Sequence, residues 1–246
     1  MISKNKLKFI KSLQIKKYRQ QEQSFLVEGA KSVLEVLRSD FEIISLLGTE
    51  RFISNNSAEL LTRSYELIEV SEGELVAAST FESNRDALAV VKMKAPQLPV
   101  ISNDEFVLAL DEIRDPGNLG TIIRIADWYG IKKIIASLGT AEFYNPKVIS
   151  ASMGSFTRVE VCYTELIGFF DTTSHKVYGA FMDGEDVHHV NFGKGGIILI
   201  GNEAQGISAS LQAQVDYKIT IPRYGKAESL NAAVATAVIC DNLRKN

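Results

Sequence analysis

From residue 105 onward, short apolar runs alternate regularly with stretches of helical periodicity. The runs at 106–110, 133–136, 158–162, 177–181, 197–200 and 217–221 have the length and apolar content of buried strands. Between them, Leu119, Ile122, Ile123 and Ala126 recur at helical spacing, as do Leu230, Val234, Ala237 and Asp241 in a last helix predicted over 229–244. Strands alternating with helices predict a parallel sheet in an α/β fold. The pattern alone suits a dinucleotide-binding fold. No GxGxxG follows the first strand, however, so that fingerprint is missing.

The first 92 residues mix the two periods less regularly. Strands are predicted at 24–28, 41–47 and 87–91, and helices at 30–37 and 72–79. Such a pattern predicts a separate, small α/β domain near the minimum size for independent stability. Lys94-Ala-Pro-Gln-Leu-Pro99 then breaks the pattern with two of the chain's five prolines. The expected organisation is a domain over 1–94, a linker over 95–104 biased to extended geometry, and a domain over 105–246.

Composition narrows the setting. A hydrophobic fraction of 46% is ordinary for a globular chain. No apolar run approaches the ~20 residues of a membrane span. The basic N-terminus lacks the apolar core and cleavage site of a signal peptide. Cys162 and Cys240 form no CxxC and no disulfide framework, so a reducing cytoplasm is the expected location. His175, His188 and His189 have no partners at zinc-ligand spacing, and no metal is expected.

The net charge of −3 argues against indiscriminate nucleic-acid binding, but its distribution is uneven. Residues 1–20 carry Lys4, Lys6, Lys8, Lys11, Lys16, Lys17 and Arg19 and no acid. Neutralising phosphates from such a segment would give salt-dependent RNA affinity. The plain alternative is a solvated helix face or a frayed tail.

Candidate chemistry gathers in three loops, each at the carboxyl end of a predicted strand, where open α/β sheets hold ligands. The first is Asp115-Pro-Gly-Asn118-Leu-Gly120, followed by Arg124. In the second, Leu199-Ile-Gly-Asn-Glu203-Ala-Gln-Gly206, the spacing of Gly201 and Gly206 matches the start of a P-loop. Ile207 stands where the phosphate-binding lysine would be, which argues against nucleoside triphosphate hydrolysis. The third is Ile221-Pro-Arg223-Tyr-Gly-Lys-Ala-Glu-Ser229-Leu230-Asn231. An acidic turn at 183–186 lacks EF-hand spacing and reads as a solvated loop near the mouth of the ligand site. By residue type alone, Asn118 or Ser229 could cap a helix, and Arg124 could pair with Asp127 on a solvated face.

Taken in order, the three loops resemble the three motifs of the SpoU (TrmH-type) RNA ribose 2'-O-methyltransferases of the SPOUT class. The resemblance is strongest over 105–246. It implies a parallel sheet with a C-terminal trefoil knot, preceded by a small L30e-like α/β domain that binds RNA. It also implies S-adenosylmethionine (SAM) as cofactor, held by Leu199, Ile200, Gly201, Asn202, Glu203, Gly206, Ile221 and Leu230. Asn118, Arg124, Glu203, Ser229 and Asn231 match the family's catalytic positions. An arginine stays protonated, so Arg124 is expected to clamp a phosphate and stabilise charge on the 2'-oxygen rather than abstract a proton. Arg223 is expected to join the N-terminal basic residues in contacting RNA. The resemblance further implies a homodimer through the last helix, with each active site able to draw on both subunits. The expected substrate is structured RNA, ribosomal rather than transfer. Alternatives are a tRNA methyltransferase, a non-catalytic RNA-binding or ribosome-assembly factor, and a nucleotide-dependent metabolic enzyme.

Overall fold

A computed structural model describes residues 2–61, 64–95 and 97–245. Pro96, one of the two linker prolines, lies outside the described residues. The chain packs as two units: Met1–Ala95 with Tyr144–Thr157, and Pro96–Phe143 with Arg158–Asn246.

The first unit runs α1 (Lys4–Ser12), α2 (Lys16–Glu22), β1 (Ser24–Glu28), α3 (Ala30–Leu37) and β2 (Ile43–Gly48), then α4 (Glu50–Asn55), α5 (Ser57–Leu60), β3 (Glu66–Glu69), α6 (Glu72–Ala78) and β4 (Ala87–Lys92). Its strands lie in the order β1-β4-β2-β3. β4 is antiparallel to both its neighbours, whereas β2 and β3 are parallel. The basic segment forms two helices, Lys4–Ser12 and Lys16–Glu22, rather than a frayed tail. Ile10 and Leu13 are fully buried in the core with Leu26, Leu47, Leu75 and Leu88. Arg19 is buried too, at 2% exposure. Its Nη1 donates to the carbonyls of Leu13 (3.0 Å) and Gln14 (2.8 Å), which close the end of α1. Charge alone groups Arg19 with the RNA-binding residues; the structure makes it a clasp at the α1–α2 corner.

Arg19→Met should therefore lower stability by about 2–4 kcal/mol, since two charge-assisted hydrogen bonds go and two carbonyls lose their donor. Chemical denaturation would measure the change, and an unaltered midpoint would refute the clasp.

The segment 144–157 follows β6 (Lys133–Ala136) in the chain but packs in the first unit, although the sequence pattern puts it within 105–246. Its helix α8 (Pro146–Ala151) is flanked by Tyr144 and Phe156. These rings lie 4.5 and 6.0 Å from that of Phe25, and Phe156 lies 5.8 Å from Phe41. Aromatic contacts of this kind bury large areas and specify packing.

The second unit contains β5 (Phe106–Leu110), α7 (Pro116–Trp128), β6 (Lys133–Ala136), β7 (Glu160–Tyr163) and α9 (Leu166–Thr172). β8 (Val177–Asp186), β9 (Gly196–Ile200), α10 (Ala209–Gln212), β10 (Tyr217–Thr220) and α11 (Ala232–Leu243) complete it. Six strands form one wholly parallel sheet, ordered β10-β8-β9-β5-β6-β7. The central strands β5 and β9 are buried on both faces, as their unbroken apolar runs require. In sequence, β5, β6 and β7 proceed to one side, whereas β8, β9 and β10 occupy the other. The order therefore reverses beside β5 and β9, and their carboxyl ends deliver the first two loops.

α11 corrects one expectation. The spacing predicts Leu230, Val234, Ala237 and Asp241 as its core face, but Leu230, Val234 and Asp241 are exposed and Ala237 is half-buried. The buried positions are Ala232, Ala233, Thr236, Ile239, Cys240, Asn242 and Leu243. A helix apolar on nearly all sides has no periodicity to mark its inner face. Burial pushes the Cys240 thiol up to about 12, which makes it an inert core residue. Among the described residues, no helix is long and apolar enough to cross a membrane.

Candidate functional site

The first loop begins with buried Asp111, whose Oδ2 accepts from the Ser208 N–H at 2.7 Å. Glu112 follows at φ +59, a left-handed conformation for a non-glycine residue. Its carbonyl accepts from Asn202 Nδ2 at 2.7 Å, so the first two loops are tied through backbone as well as side chains. Asp115 caps α7 by accepting from the Asn118 N–H at 2.9 Å, and Pro116 opens the helix. With the cap supplied by Asp115, the Asn118 side chain can reach other groups.

It bridges the other two loops. Asn118 Nδ2 donates to Glu203 Oε1 at 2.6 Å, and Asn118 Oδ1 accepts from Asn231 Nδ2 at 2.9 Å. Asn231 Oδ1 accepts from the N–H groups of Ala233 (2.9 Å) and Val234 (3.3 Å). Asn231, not Ser229, is thus the cap of α11. The chain of donors has one direction, from α11 through Asn231 and Asn118 to the Glu203 carboxylate.

The second loop is held by a small backbone bridge. Asn202 and Gly206 exchange N–H···O bonds of 3.0 and 2.9 Å, while Asn202 Oδ1 accepts from the N–H groups of Ala204 and Gln205. Gly206 adopts φ +68, where glycine is favoured. At Gly201, a Cβ would lie 2.2 Å from the Gly206 carbonyl carbon and 2.3 Å from the Ile207 nitrogen.

The second and third loops enclose a cavity of about 840 Å³, within the range of small-molecule sites. Ile200, Gly201, Asn202, Glu203, Gly206, Ile221, Ser229 and Leu230 line it. Leu199 does not: it is fully buried against Val107, Ile207 and Leu211, and supports the cavity from behind. Phe181, Met182 and Asp183 from β8, with Ala232, Ala235 and Ile239 from α11, also line it. Sequence reasoning missed these apart from Asp183, which it read as part of a solvated turn near the mouth of the ligand site; 183–186 is instead the end of strand β8. The 232/235/239 spacing on the helix after the third loop was the signal available. Arg223 and the 95% exposed Tyr224 stand on the cavity wall, with Arg223 Nη1 donating to the Ala227 carbonyl at 3.3 Å.

Arg124 is placed differently. It is exposed on α7, does not line the cavity, and makes no hydrogen bond or ion pair among the described residues. Asp127, the partner its spacing suggests, is gripped by Arg158 through two nitrogens at 3.1 and 2.8 Å. α7 and α11 run parallel, joined near their starts by Asn118–Asn231 and near their ends by Tyr129 Oη donating to Asp241 at 3.4 Å. On their exposed surfaces lie Arg124, Val234 (50% exposed) and Trp128 (84%), with Leu230 (47%) exposed just before α11.

Comparison with known proteins gives a consistent result. The model of the SpoU rRNA methylase family matches residues 105–241, and that of the MRM3-like substrate-binding domain matches residues 4–89. A 23S rRNA (guanosine(2553)-2'-O)-methyltransferase of Bacillus subtilis is 32% identical over 243 residues, 97% of this chain and 96% of that protein. The SpoU methyltransferase AviRb of Streptomyces viridochromogenes, solved with AdoMet, superposes with a TM-score of 0.86 at 28% identity, covering 98% of this chain and 97% of that one. An AdoMet-bound rRNA methyltransferase of Sinorhizobium meliloti gives 0.86 at 28% identity, covering 100% and 97%.

Proposed function

Because the chain belongs to the SpoU rRNA methylase family, we propose that it transfers a methyl group from SAM to a ribose 2'-hydroxyl of 23S rRNA. The observation that carries the reading is the pair of hydrogen bonds by which Asn231 and Asn118 reach Glu203 on the cavity wall. A metabolic enzyme with an ATP or NAD site needs none of these three residues. A purely binding member of the fold could use Asn231 to cap α11, but it needs no carboxylate aimed by two asparagines at the cavity wall.

The cavity fits SAM on its own features. Gly201 leaves backbone where a side chain would collide. Ile221 and Leu230 supply apolar walls, and Asp183 and Glu203 supply carboxylates suited to ribose hydroxyls or a cationic centre. Ile200, Gly201, Asn202 and Gly206 would hold the cofactor through backbone groups. SAM, when bound, supplies the activated methyl group. The residues then have to fix the target oxygen and stabilise the charge that develops on it. Ser229, on the cavity wall, is suited to hydrogen-bond the substrate. Asn118 and Asn231 set the direction of the Glu203 carboxylate. Arg124 clamps the phosphate beside the target ribose.

In this reading the active unit is a homodimer. Arg124 does not line its own chain's cavity, and Val234 and Trp128, on α11 and α7, are exposed apolar side chains, as is Leu230 at the cavity wall. A second copy against this surface would cover them and bring Arg124 to the neighbouring cavity. The trefoil knot of the family is part of the same proposal, formed where the chain passes from β10 to α11. The cytoplasm, where ribosomal RNA is available, is the proposed location.

Calorimetry with SAM, followed by labelling of unmodified 23S rRNA and of tRNA, tests the proposal. SAM binding with label in 23S rRNA is expected. Label in tRNA alone would move the substrate class, and SAM binding without transfer to either RNA would favour an assembly factor.

Asn231→Asp offers a finer test. Aspartate caps a helix as well as asparagine does, so the melting temperature should stay near that of the wild type. It cannot donate to Asn118 Oδ1, and turnover should fall about 10-fold or more, the scale of removing one hydrogen bond of about 1.4 kcal/mol. Unchanged turnover would show that the donor chain serves only the fold.

A further inference from the structure

The α1–α2 corner of the first unit carries an unusual burden of charge. Lys4, Lys8, Lys11, Lys16 and Lys17 are exposed, and none has an acidic partner among the described residues. Some other lysines are paired, Lys6 with Glu66, Lys92 with Glu42, Lys94 with Asp40 and Lys133 with Glu105, whereas Lys31, Lys132, Lys176, Lys194, Lys218 and Lys226, scattered along the chain, have no acidic partner among the described residues either. Lys4, Lys8 and Lys11 follow the i, i+4, i+7 spacing of one face of α1, and like charges so placed repel one another. Seven residues of helix extend about 10 Å, so this row can follow successive backbone phosphates.

The tip of the corner adds a second kind of group. Ile15 is 56% exposed and Tyr18 38% exposed, and the Tyr18 hydroxyl has no hydrogen-bond partner among the described residues. The Lys17 ammonium lies 5.9 Å from the Tyr18 ring centroid. The tip is firmly mounted, since Ile10, Leu13 and Arg19 beneath it are buried and Gln14 Nε2 donates to the Ser79 carbonyl at 3.2 Å. An aromatic face beside unpaired ammonium groups on a rigid corner is the arrangement that holds single-stranded nucleic acid. The ring stacks a base, and the cations take the phosphates.

We propose that the α1–α2 corner docks an unpaired stretch of the RNA substrate, with Tyr18 stacking one base and Lys8, Lys11, Lys16 and Lys17 holding the phosphates around it. The proposal rests on the reading of the chain as an RNA methyltransferase and names where, and by what chemistry, the RNA is first held. Arg19 is kept from the RNA by its burial. Removing residues 1–20 outright would strip Ile10, Leu13 and Arg19 from the core, so point substitutions are the appropriate probes.

The experiment uses the full-length chain. Binding is measured by fluorescence anisotropy to a labelled RNA hairpin with a uridine-rich loop, and to a blunt duplex of the same stem. Tyr18→Ala should weaken hairpin binding between about 5- and 100-fold, the range of one base–aromatic stack, and leave duplex binding nearly unchanged. Tyr18→Trp should restore the affinity. Replacing Lys8, Lys11, Lys16 and Lys17 by alanine should flatten the dependence of log K on log salt by about 0.7 for each single-strand phosphate that the protein no longer neutralises. With 23S rRNA as substrate, Tyr18→Ala should raise KM and leave kcat intact. Equal weakening on hairpin and duplex would overturn the stacking role. Wild-type affinity in both the Tyr18 and the lysine variants, with methyl transfer intact, would overturn the corner while leaving the enzymatic reading standing. Capture by anionic phospholipid vesicles in place of RNA would also overturn it. Failure of the wild-type chain to methylate any RNA would instead refute the reading on which the proposal rests.

Discussion

Replacing Arg124 by alanine is expected to cut methyl transfer by about 10²–10³-fold, the effect of removing one group that stabilises developing charge, and to leave SAM affinity nearly unchanged. Both halves of the expectation follow from its position. Arg124 is exposed, unpaired among the described residues and absent from the cavity wall, so neither the fold nor the cofactor pocket depends on it. A guanidinium held without a carboxylate partner is free to grip a phosphate through two nitrogens. Lysine at the same position keeps the charge but not the fork, and Arg124→Lys should recover only part of the activity. If Arg124 serves the neighbouring chain's cavity, mixing Arg124→Ala with Glu203→Gln chains should restore turnover that neither has alone. A fall in SAM affinity as large as the fall in turnover would contradict the assigned role.

Gly201→Ala should be the most damaging single-methyl change in the cavity. All three atoms nearest the new Cβ are backbone: the Gly206 carbonyl carbon at 2.2 Å, the Ile207 nitrogen at 2.3 Å and the Gly206 oxygen at 2.5 Å. No side chain can rotate away, so the loop itself must shift. That loop carries Asn202, which is tied to the Glu112 carbonyl, and Glu203, which receives the Asn118 amide. Overpacking of this kind costs about 1–3 kcal/mol of stability, and a displacement near 1 Å in positioning groups costs about 10²-fold in function. SAM affinity and turnover should fall together by about that factor. Gly206→Ala is the control. Its Cβ would meet nothing within 4 Å, and only the left-handed φ of +68 opposes it, at about 1–2 kcal/mol. A Gly201→Ala chain that binds SAM normally would show that the loop is not rigid and would remove it from the cofactor site.

Much of the second unit was legible because its strands are short, apolar and buried on both faces. Runs such as 106–110 and 197–200 admit little else. β3 escaped because Glu66–Glu69 is an edge strand of the first sheet with no fully buried residue, so it carries no apolar signature. The burial of Arg19 was illegible for the opposite reason. Its type and its neighbours read as surface, and only the carbonyls at the end of α1 explain its place. The inner face of α11 could not be read from a helix made mostly of small apolar residues. Ordered motifs told most about the site. They named Asn118, Glu203 and Asn231, separated by as many as 113 positions, which the fold joins by hydrogen bonds. Motif order could not reveal that Arg124 would stand apart from them, nor that Leu199 would face the core.

The most direct measurement is transfer from tritiated SAM to unmodified 23S rRNA, followed by complete digestion and separation of the nucleosides. Label confined to a single 2'-O-methylnucleoside is the predicted result. Label on a base, or none at all from a chain that binds SAM, would contradict ribose methylation as the work of this site.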